Sequence, residues 1–349
     1  MPPLRLFSTP IIYVWLGSSL PSWTSDFIRH CTSVNRAYEF LLLTDFEPED
    51  KEIKKHLSIF MIESPWRYIA EGFMARSTES FWQNTSLRFP AIYQFCINSG
   101  INQFFHIELD NIIDSICTLE YKLSLYGCGI FAPRDNVDRA IGSFIFCNRL
   151  ESMAELVELY SQDNVTNDMI ALGLYAQKYT EHFWALPTES YIHNQTLFRV
   201  IDPEYCSGIF DAASIGQYMF GVDPIHKRYQ PLRNCFVNEH CRLDWKAATF
   251  NTDSGSVYLG IKQEAFMEQL TWHRVYNLHV HSKSYEAVED FYRKGRIFRR
   301  LLDRKSSIVR NSHYYYIGPF RFVYDRLMAF IKRLGKAYQL TTLAIRSAK

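Results

Sequence analysis

The sequence predicts an α/β protein: a three-layer sandwich with a mainly parallel central sheet, followed by a C-terminal basic helical extension. Three observations lead there. Apolar runs of strand length alternate with helix-like stretches through the first 110 residues. Those runs stop at Gly17, Asp45 and Glu108/Asp110, and ligands of open parallel sheets sit beyond the carboxyl ends of the strands. Residues 291–349 carry 15 Lys/Arg against only Asp303 and Asp325, a net +13, while residues 1–290 hold 23 Lys/Arg against 35 Asp/Glu, a net −12. The chain is an acidic body with a basic end.

In chain order, Pro10 to Gly17 reads as a buried strand, Trp23 to Arg36 as a helix, and Tyr38 to Thr44 as a second strand stopping at Asp45. An irregular stretch containing Trp and Phe follows. Leu87 to Asn98 then reads as a helix and Asn102 to Leu109 as a strand. The expected division is residues 1–285 for the sandwich and 286–349 for the extension.

Bulk properties allow a large core: 349 residues, 47% hydrophobic and 16% aromatic. The apolar run Ile11-Ile12-Tyr13-Val14-Trp15-Leu16 is far shorter than the roughly 20 residues of a spanning helix, and no signal-peptide pattern precedes it. A cytoplasmic protein is expected. The eight cysteines have no C-x-x-C pair, so neither a zinc site nor a disulfide framework is indicated. Neither a G-x-G-x-x-G nor a P-loop sequence is present, which leaves dinucleotide and P-loop chemistry unsupported.

The chemistry concentrates in two places. In Phe104-Phe105-His106-Ile107-Glu108-Leu109-Asp110-Asn111, an apolar run reaches two carboxylates spaced i, i+2, which share one face if the segment is extended. Two hard oxygen donors at a strand end suit a divalent cation carrying a diphosphate. Far downstream, His279, His281 and Lys283 repeat the same spacing. Imidazoles can ligate the cation, with His281 favoured over His279, and an ammonium beside them fits a diphosphate leaving group. Taken singly, an E-x-D is often a solvated turn, and His106 is as well explained as a core histidine bonded to a backbone carbonyl.

These segments together resemble the bacterial polysaccharide-type glycosyltransferases of the GT-A fold, a Rossmann-related nucleotide-sugar architecture. Ile12-Tyr13-Val14-Trp15-Leu16-Gly17 with Leu43-Thr44-Asp45 looks like that domain's first two strands. Ser86-Leu87-Arg88-Phe89 is similar to S-D-x-x-R-[YF], with Leu87 in place of the acidic residue. Glu108-Leu109-Asp110 stands where the family has D-x-D, and Asn277-Leu278-His279-Val280-His281-Ser282-Lys283 resembles N-L-H-[IV]-H-S-K. The resemblance spans residues 8–285. It implies a metal-assisted glycosyltransferase whose donor is a nucleotide sugar, UDP- or GDP-linked, with Mn²⁺ or Mg²⁺ held by Glu108, Asp110, His279 and His281. It further implies donor contacts from Gly17, Asp45, Arg88 and Lys283, and a glycan or lipid-linked acceptor in cell-surface polysaccharide synthesis.

If the reaction inverts the anomeric centre, a carboxylate must accept the acceptor hydroxyl's proton, and Asp168 and Asp211 are the candidates. Each also reads as an ordinary residue of a helix start. The apolar positions 323, 327, 330, 331 and 334 trace one face of a cationic helix that either lies on an anionic membrane surface or docks on the acidic body. No nucleic-acid motif accompanies the basic residues. The competing readings are a carbohydrate-binding or scaffold protein, and a metal-dependent nucleotidyltransferase or phosphohydrolase, which should need further carboxylates.

Overall fold

Strict alternation of inward side chains builds the centre of the protein. The computed structural model describes residues 9–17, 19–62, 71, 73, 80–134, 136–189, 199–221, 248–262 and 270–295. A seven-stranded sheet runs in the order β3-β2-β1-β4-β7-β6-β8. Its strands are β1 (Ile11–Trp15), β2 (Phe40–Thr44), β3 (Ser58–Met61), β4 (Phe104–Ile107), β6 (Ile130–Pro133), β7 (Phe144–Cys147) and β8 (Phe183–Leu186). β7 is antiparallel to β4 and β6, and the other pairings are parallel. The mainly parallel sheet expected from the sequence is therefore present.

Successive residues on a strand face opposite sides, and the two cores divide on that period. Ile12, Leu41, Leu43, Phe104, Ile130 and Ile145 pack on one face with α3 (Ser80–Ser99), α5 (Leu150–Glu158) and α6 (Asp168–Lys178). Ile11, Tyr13, Leu42, Phe105, Phe131 and Phe146 pack on the other with α1 (Thr24–Val34), α2 (Lys51–His56) and α4 (Cys117–Tyr126). Helices cover both faces, which makes three layers.

The order of strands places the site. β1 lies between β2 and β4, so the chain builds outward to β3 and then returns to the other side of β1. Such a reversal opens a crevice at the carboxyl ends of the two inner strands. Here the β1–β4 pairing stops at Ile12↔His106, although β1 runs on to Trp15. Beyond that register the strands part, with Gly17 on one side and Glu108 on the other.

Two smaller sheets follow: β9 (Thr249–Asp253), β10 (Ser256–Lys262) and β11 (Leu270–Val275) as an antiparallel meander, and β5 (Asn111–Ile113) paired antiparallel with β12 (Asn277–His279). After the short helix α7 (Pro203–Cys206), helix α8 (Ile215–Phe220) packs beside β12, and α9 (Tyr285–Lys294) closes the described chain.

Some expectations shift in detail. The first two strands and α1 are each shorter than read. The helix read as Leu87–Asn98 starts earlier, at Ser80, and continues through Pro90. The stretch read as irregular holds α2 and β3. β3 is a four-residue edge strand with no buried residue, so it shows no apolar alternation. The boundary expected at 285/286 falls at the start of α9, whose Tyr285 packs edge-on against Phe27 of α1 at 5.6 Å. The compact unit runs to Arg299, and residues 300–349 form a second unit. The amphipathic segment around 323–334 lies outside the described residues, as do Cys235 and Cys241; the six described cysteines are free. Among the described residues no helix is long and apolar enough to cross a membrane.

Candidate metal centre

The ladder of β4 ends at Ile107, and Glu108 turns its backbone N–H to the Ser143 carbonyl at 3.0 Å. Leu109 and Asp110 then form a turn closed by Asn111 N–H to Glu108 C=O at 3.0 Å. The two carboxylates therefore do not converge through strand alternation, as the i, i+2 spacing suggested. The turn brings them together, and a third group completes the arrangement.

That group arrives from far along the chain. β12 pairs with β5 in the register Asn277↔Ile113, Leu278↔Ile112, His279↔Asn111, and Val280 N–H continues the contact to the Asp110 carbonyl at 2.8 Å. Opposite the acidic turn, His279 Nε2 lies 3.1 Å from Glu108 Oε2 and 3.1 Å from Asp110 Oδ2. All three side chains are largely withdrawn from solvent.

A buried polar frame fixes this approach. Asn277 Nδ2 donates to Asn111 Oδ1 across the ribbon at 3.0 Å, and Asn277 Oδ1 accepts the Asp211 backbone N–H at 3.1 Å. The Asp211 carboxylate takes the amides of Ser214 and Ile215 on Oδ1 and those of Gly216 and His279 on Oδ2, at 2.7, 2.9, 2.8 and 2.9 Å. Burial pushes its pKa up, and these amides act against that shift. With four lone-pair positions committed, Asp211 joins the start of α8 to the histidine strand. These bonds match its reading as a residue of a helix start. Gly216 is the point of closest approach: a Cβ there would stand 2.2 Å from the His279 carbonyl.

The three groups fit a divalent cation. Neighbouring ligands of an octahedral ion with bonds of about 2.1 Å stand roughly 3.0 Å apart, and His279 Nε2 is 3.1 Å from each carboxylate oxygen. The triad's ligand atoms all lie within 4.8 Å of one another. Two carboxylates and an imidazole leave positions for water and phosphate oxygens, and the mixed O/N set suits Mn²⁺ among other first-row ions. His279 Nδ1 is buried with no hydrogen-bond partner among the described residues. The His281 ring lies tilted by 35° against that of His279, with ring centroids 3.9 Å apart, and stands outside the triad. His279 rather than His281 therefore reaches both carboxylates.

Cations brace the acidic groups. Arg88, 6% exposed, joins Glu108 through one guanidinium nitrogen and Asp168 through the other. Because Arg88 takes Oε1 of Glu108, Oε2 remains towards His279. Gly142 makes room for it: a Cβ there would meet the guanidinium at 2.5 Å. Lys283 pairs with Asp110 Oδ2. Burial alone would raise both carboxyl pKa values, but Arg88 and His279 hold Glu108 below its usual range, and His279 with Lys283 hold Asp110 well below it. Burial dominates at Asp168 and raises its pKa despite Arg88. Arg88→Met strands two buried carboxylates without their common partner, so stability falls by roughly 3–5 kcal/mol. A lowered urea midpoint at unchanged m-value checks this.

The remaining expected residues fall around this centre. Gly17 N–H donates to Asp45 Oδ1 at 2.9 Å, tying the carboxyl ends of β1 and β2. Asp168 follows the N-cap Asn167, whose side chain accepts from Ile170 N–H at 3.0 Å, and among the described residues it is joined to the centre by Arg88. His106 bonds the Ile12 carbonyl at 2.9 Å, and burial followed by the nearby Arg88 pushes its pKa down to about 3. It is a neutral core residue.

No family model matches the chain, and no curated protein matches it. Among solved structures, similarity is found to mouse xyloside xylosyltransferase 1 in its apo form, at 11% identity and a TM-score of 0.35, covering 52% of this chain and 86% of that one. The galactosyltransferase LgtC with donor and acceptor sugar analogues gives 12% identity and a TM-score of 0.34, over 56% of this chain and 81% of that one. A cytidylyltransferase from Leptospira borgpetersenii gives 15% identity and 0.34, over 52% and 76%.

Sequence reasoning missed the frame that holds the centre, with Asn111, Asn277, Gly142 and Gly216 as packing residues. The signal for two of them was present. An Asn inside an apolar strand, as Asn277 is beside Tyr276 and Leu278, must find a buried partner.

Proposed function

We propose that this chain is a metal-assisted glycosyltransferase that moves a sugar from a nucleoside-diphosphate donor to a hydroxyl of a glycan or lipid-linked acceptor, in the cytoplasm and in the service of cell-surface polysaccharide synthesis. One observation carries the reading: Glu108, Asp110 and His279 converge at the carboxyl end of β4, beside the crevice where the sheet order reverses, with the cations Arg88 and Lys283 against the same carboxylates. A diphosphate leaving group needs a cation to carry its charge, and positive side chains beside it.

In this reading Glu108, Asp110 and His279 hold Mn²⁺ in preference to Mg²⁺, and the bound ion neutralises the charge that develops as the glycosidic bond breaks. His281 backs the ring of His279. Lys283 binds the diphosphate oxygens, and Arg88 fixes Glu108 for its part. The joined strand ends at Gly17 and Asp45 face the nucleoside, UDP- or GDP-linked. With Asp211 committed to amides, the base of an inverting reaction falls to Asp168. The basic segment beyond residue 299 is assigned to an anionic membrane surface, the setting of a lipid-linked acceptor. A two-cation phosphohydrolase is disfavoured, since the described cluster supplies one histidine and two carboxylates rather than a second acidic set.

The test is a thermal-shift series on the whole chain with UDP-, GDP-, CMP- and dTDP-sugars, each with Mn²⁺ and with EDTA. One nucleotide family should stabilise the protein by several degrees only with metal present. Absence of any metal-dependent shift in folded protein overturns the proposal.

A further inference from the structure

Lys283 stands where an entering cation must compete with it. Its ammonium pairs with Asp110 Oδ2, the same oxygen that faces His279 Nε2 at 3.1 Å. The backbone fixes it there: Lys283 has φ +57°, a conformation that non-glycine residues seldom adopt, closed by its N–H to the Val280 carbonyl at 2.9 Å. The next residue, Ser284, caps α9 through the Ala287 amide at 3.3 Å. The ammonium therefore hangs from a rigid corner and not from a loose loop.

Outward from Asp110 the side chain borders a cavity of about 370 Å³. Trp23, Asp26, Arg29, Glu286 and Glu289 share its lining with Lys283, Arg29 pairing with Asp26 at 2.5 Å and leaving Glu286 and Glu289 as the other carboxylates, and the ammonium lies 5.7 Å from the Trp23 ring centroid. An ammonium leaving Asp110 can turn into this space and stay beside an aromatic face and carboxylates. Its side chain is 24% exposed against 9% for Asp110, so the lysine is the less buried member of the pair.

We propose that Lys283 is an internal counter-cation that occupies Asp110 in the metal-free protein and is released when metal and a diphosphate enter together. This inference rests on the function proposed above. A divalent ion alone must break the Lys283–Asp110 pair. A diphosphate offers the displaced ammonium new oxygens, so each ligand removes part of the cost of binding the other. Coupling of this kind is reciprocal. The device keeps the centre from loading with free metal before the donor arrives.

The experiment measures Mn²⁺ affinity of the whole chain by electron paramagnetic resonance, with and without inorganic pyrophosphate, for wild type, Lys283→Met and Lys283→Gln. Two neutral replacements guard against one that folds poorly. Wild type should bind Mn²⁺ about tenfold more tightly with pyrophosphate present, within the usual range of coupling. Both variants should bind Mn²⁺ alone about tenfold more tightly than wild type and lose most of the pyrophosphate effect. Unchanged or weaker binding of Mn²⁺ alone in folded variants overturns the counter-cation role while leaving the metal centre standing. No Mn²⁺ binding by wild type, with or without pyrophosphate, overturns both.

Discussion

On the proposed function, Asp110→Asn is expected to remove metal binding and to lower glycosyl transfer by about a thousandfold or more, the scale on which losing roughly 4 kcal/mol of transition-state stabilisation shows. The replacement keeps the side chain's shape and removes its charge. Asp110 Oδ2 is the atom on which His279 and Lys283 both converge. An amide there leaves an imidazole and an ammonium facing each other across a neutral group, which repels an entering divalent ion. The backbone carbonyl of Asp110, which accepts Val280 N–H at 2.8 Å, is untouched, so β12 stays docked. The measurements are Mn²⁺ titration by electron paramagnetic resonance, donor turnover, and circular dichroism to show the fold retained. Turnover within tenfold of wild type rules out the acidic turn as the cation's seat.

Asp211→Ala acts on stability first. Four buried amides, those of Ser214, Ile215, Gly216 and His279, lose their common acceptor. An unsatisfied buried amide costs about 1–3 kcal/mol, and such losses share relaxation, so a total on the order of 3–5 kcal/mol is expected. That is a large part of the usual margin of a folded domain. The expected result is a sharply lower urea midpoint, together with weakened Mn²⁺ binding as β12 loosens. Asp211→Asn retains one acceptor oxygen but sets an NH₂ against amide donors, and falls between the two. If Asp211→Ala instead abolishes turnover at unchanged stability, the carboxylate works as the base and not as a brace.

The two large stabilities in this prediction and in Arg88→Met come from residues that sequence patterns place poorly. The inner strands were legible because their apolar runs are buried on both sides, as in Phe40–Thr44, where every residue is buried. β3 was not, since an edge strand with both ends exposed carries no period to read. The E-x-D pair and the late histidines were visible by residue type. Their meeting was not, because the join depends on a β5–β12 register between segments 166 to 169 residues apart. Strand alternation puts both histidines on one face, but β12 ends at His279 and the chain turns before His281. Arg88 was expected at the donor. In the folded chain it is first a bridge between Glu108 and Asp168, a role fixed by α3 and α6 packing on the same face of the sheet.

The β5–β12 ribbon also sets when the centre can exist. The acidic turn is complete once residue 111 has been made, yet its histidine lies 169 positions later. During synthesis at about 5–20 residues per second, the sheet and its first carboxylates therefore wait on the order of ten seconds or more for His279 to emerge. Throughout that interval the growing chain has a nascent core but an unfinished cation site. The last described segments act as a finishing step, and the chain gains its proposed chemistry only after they have been made.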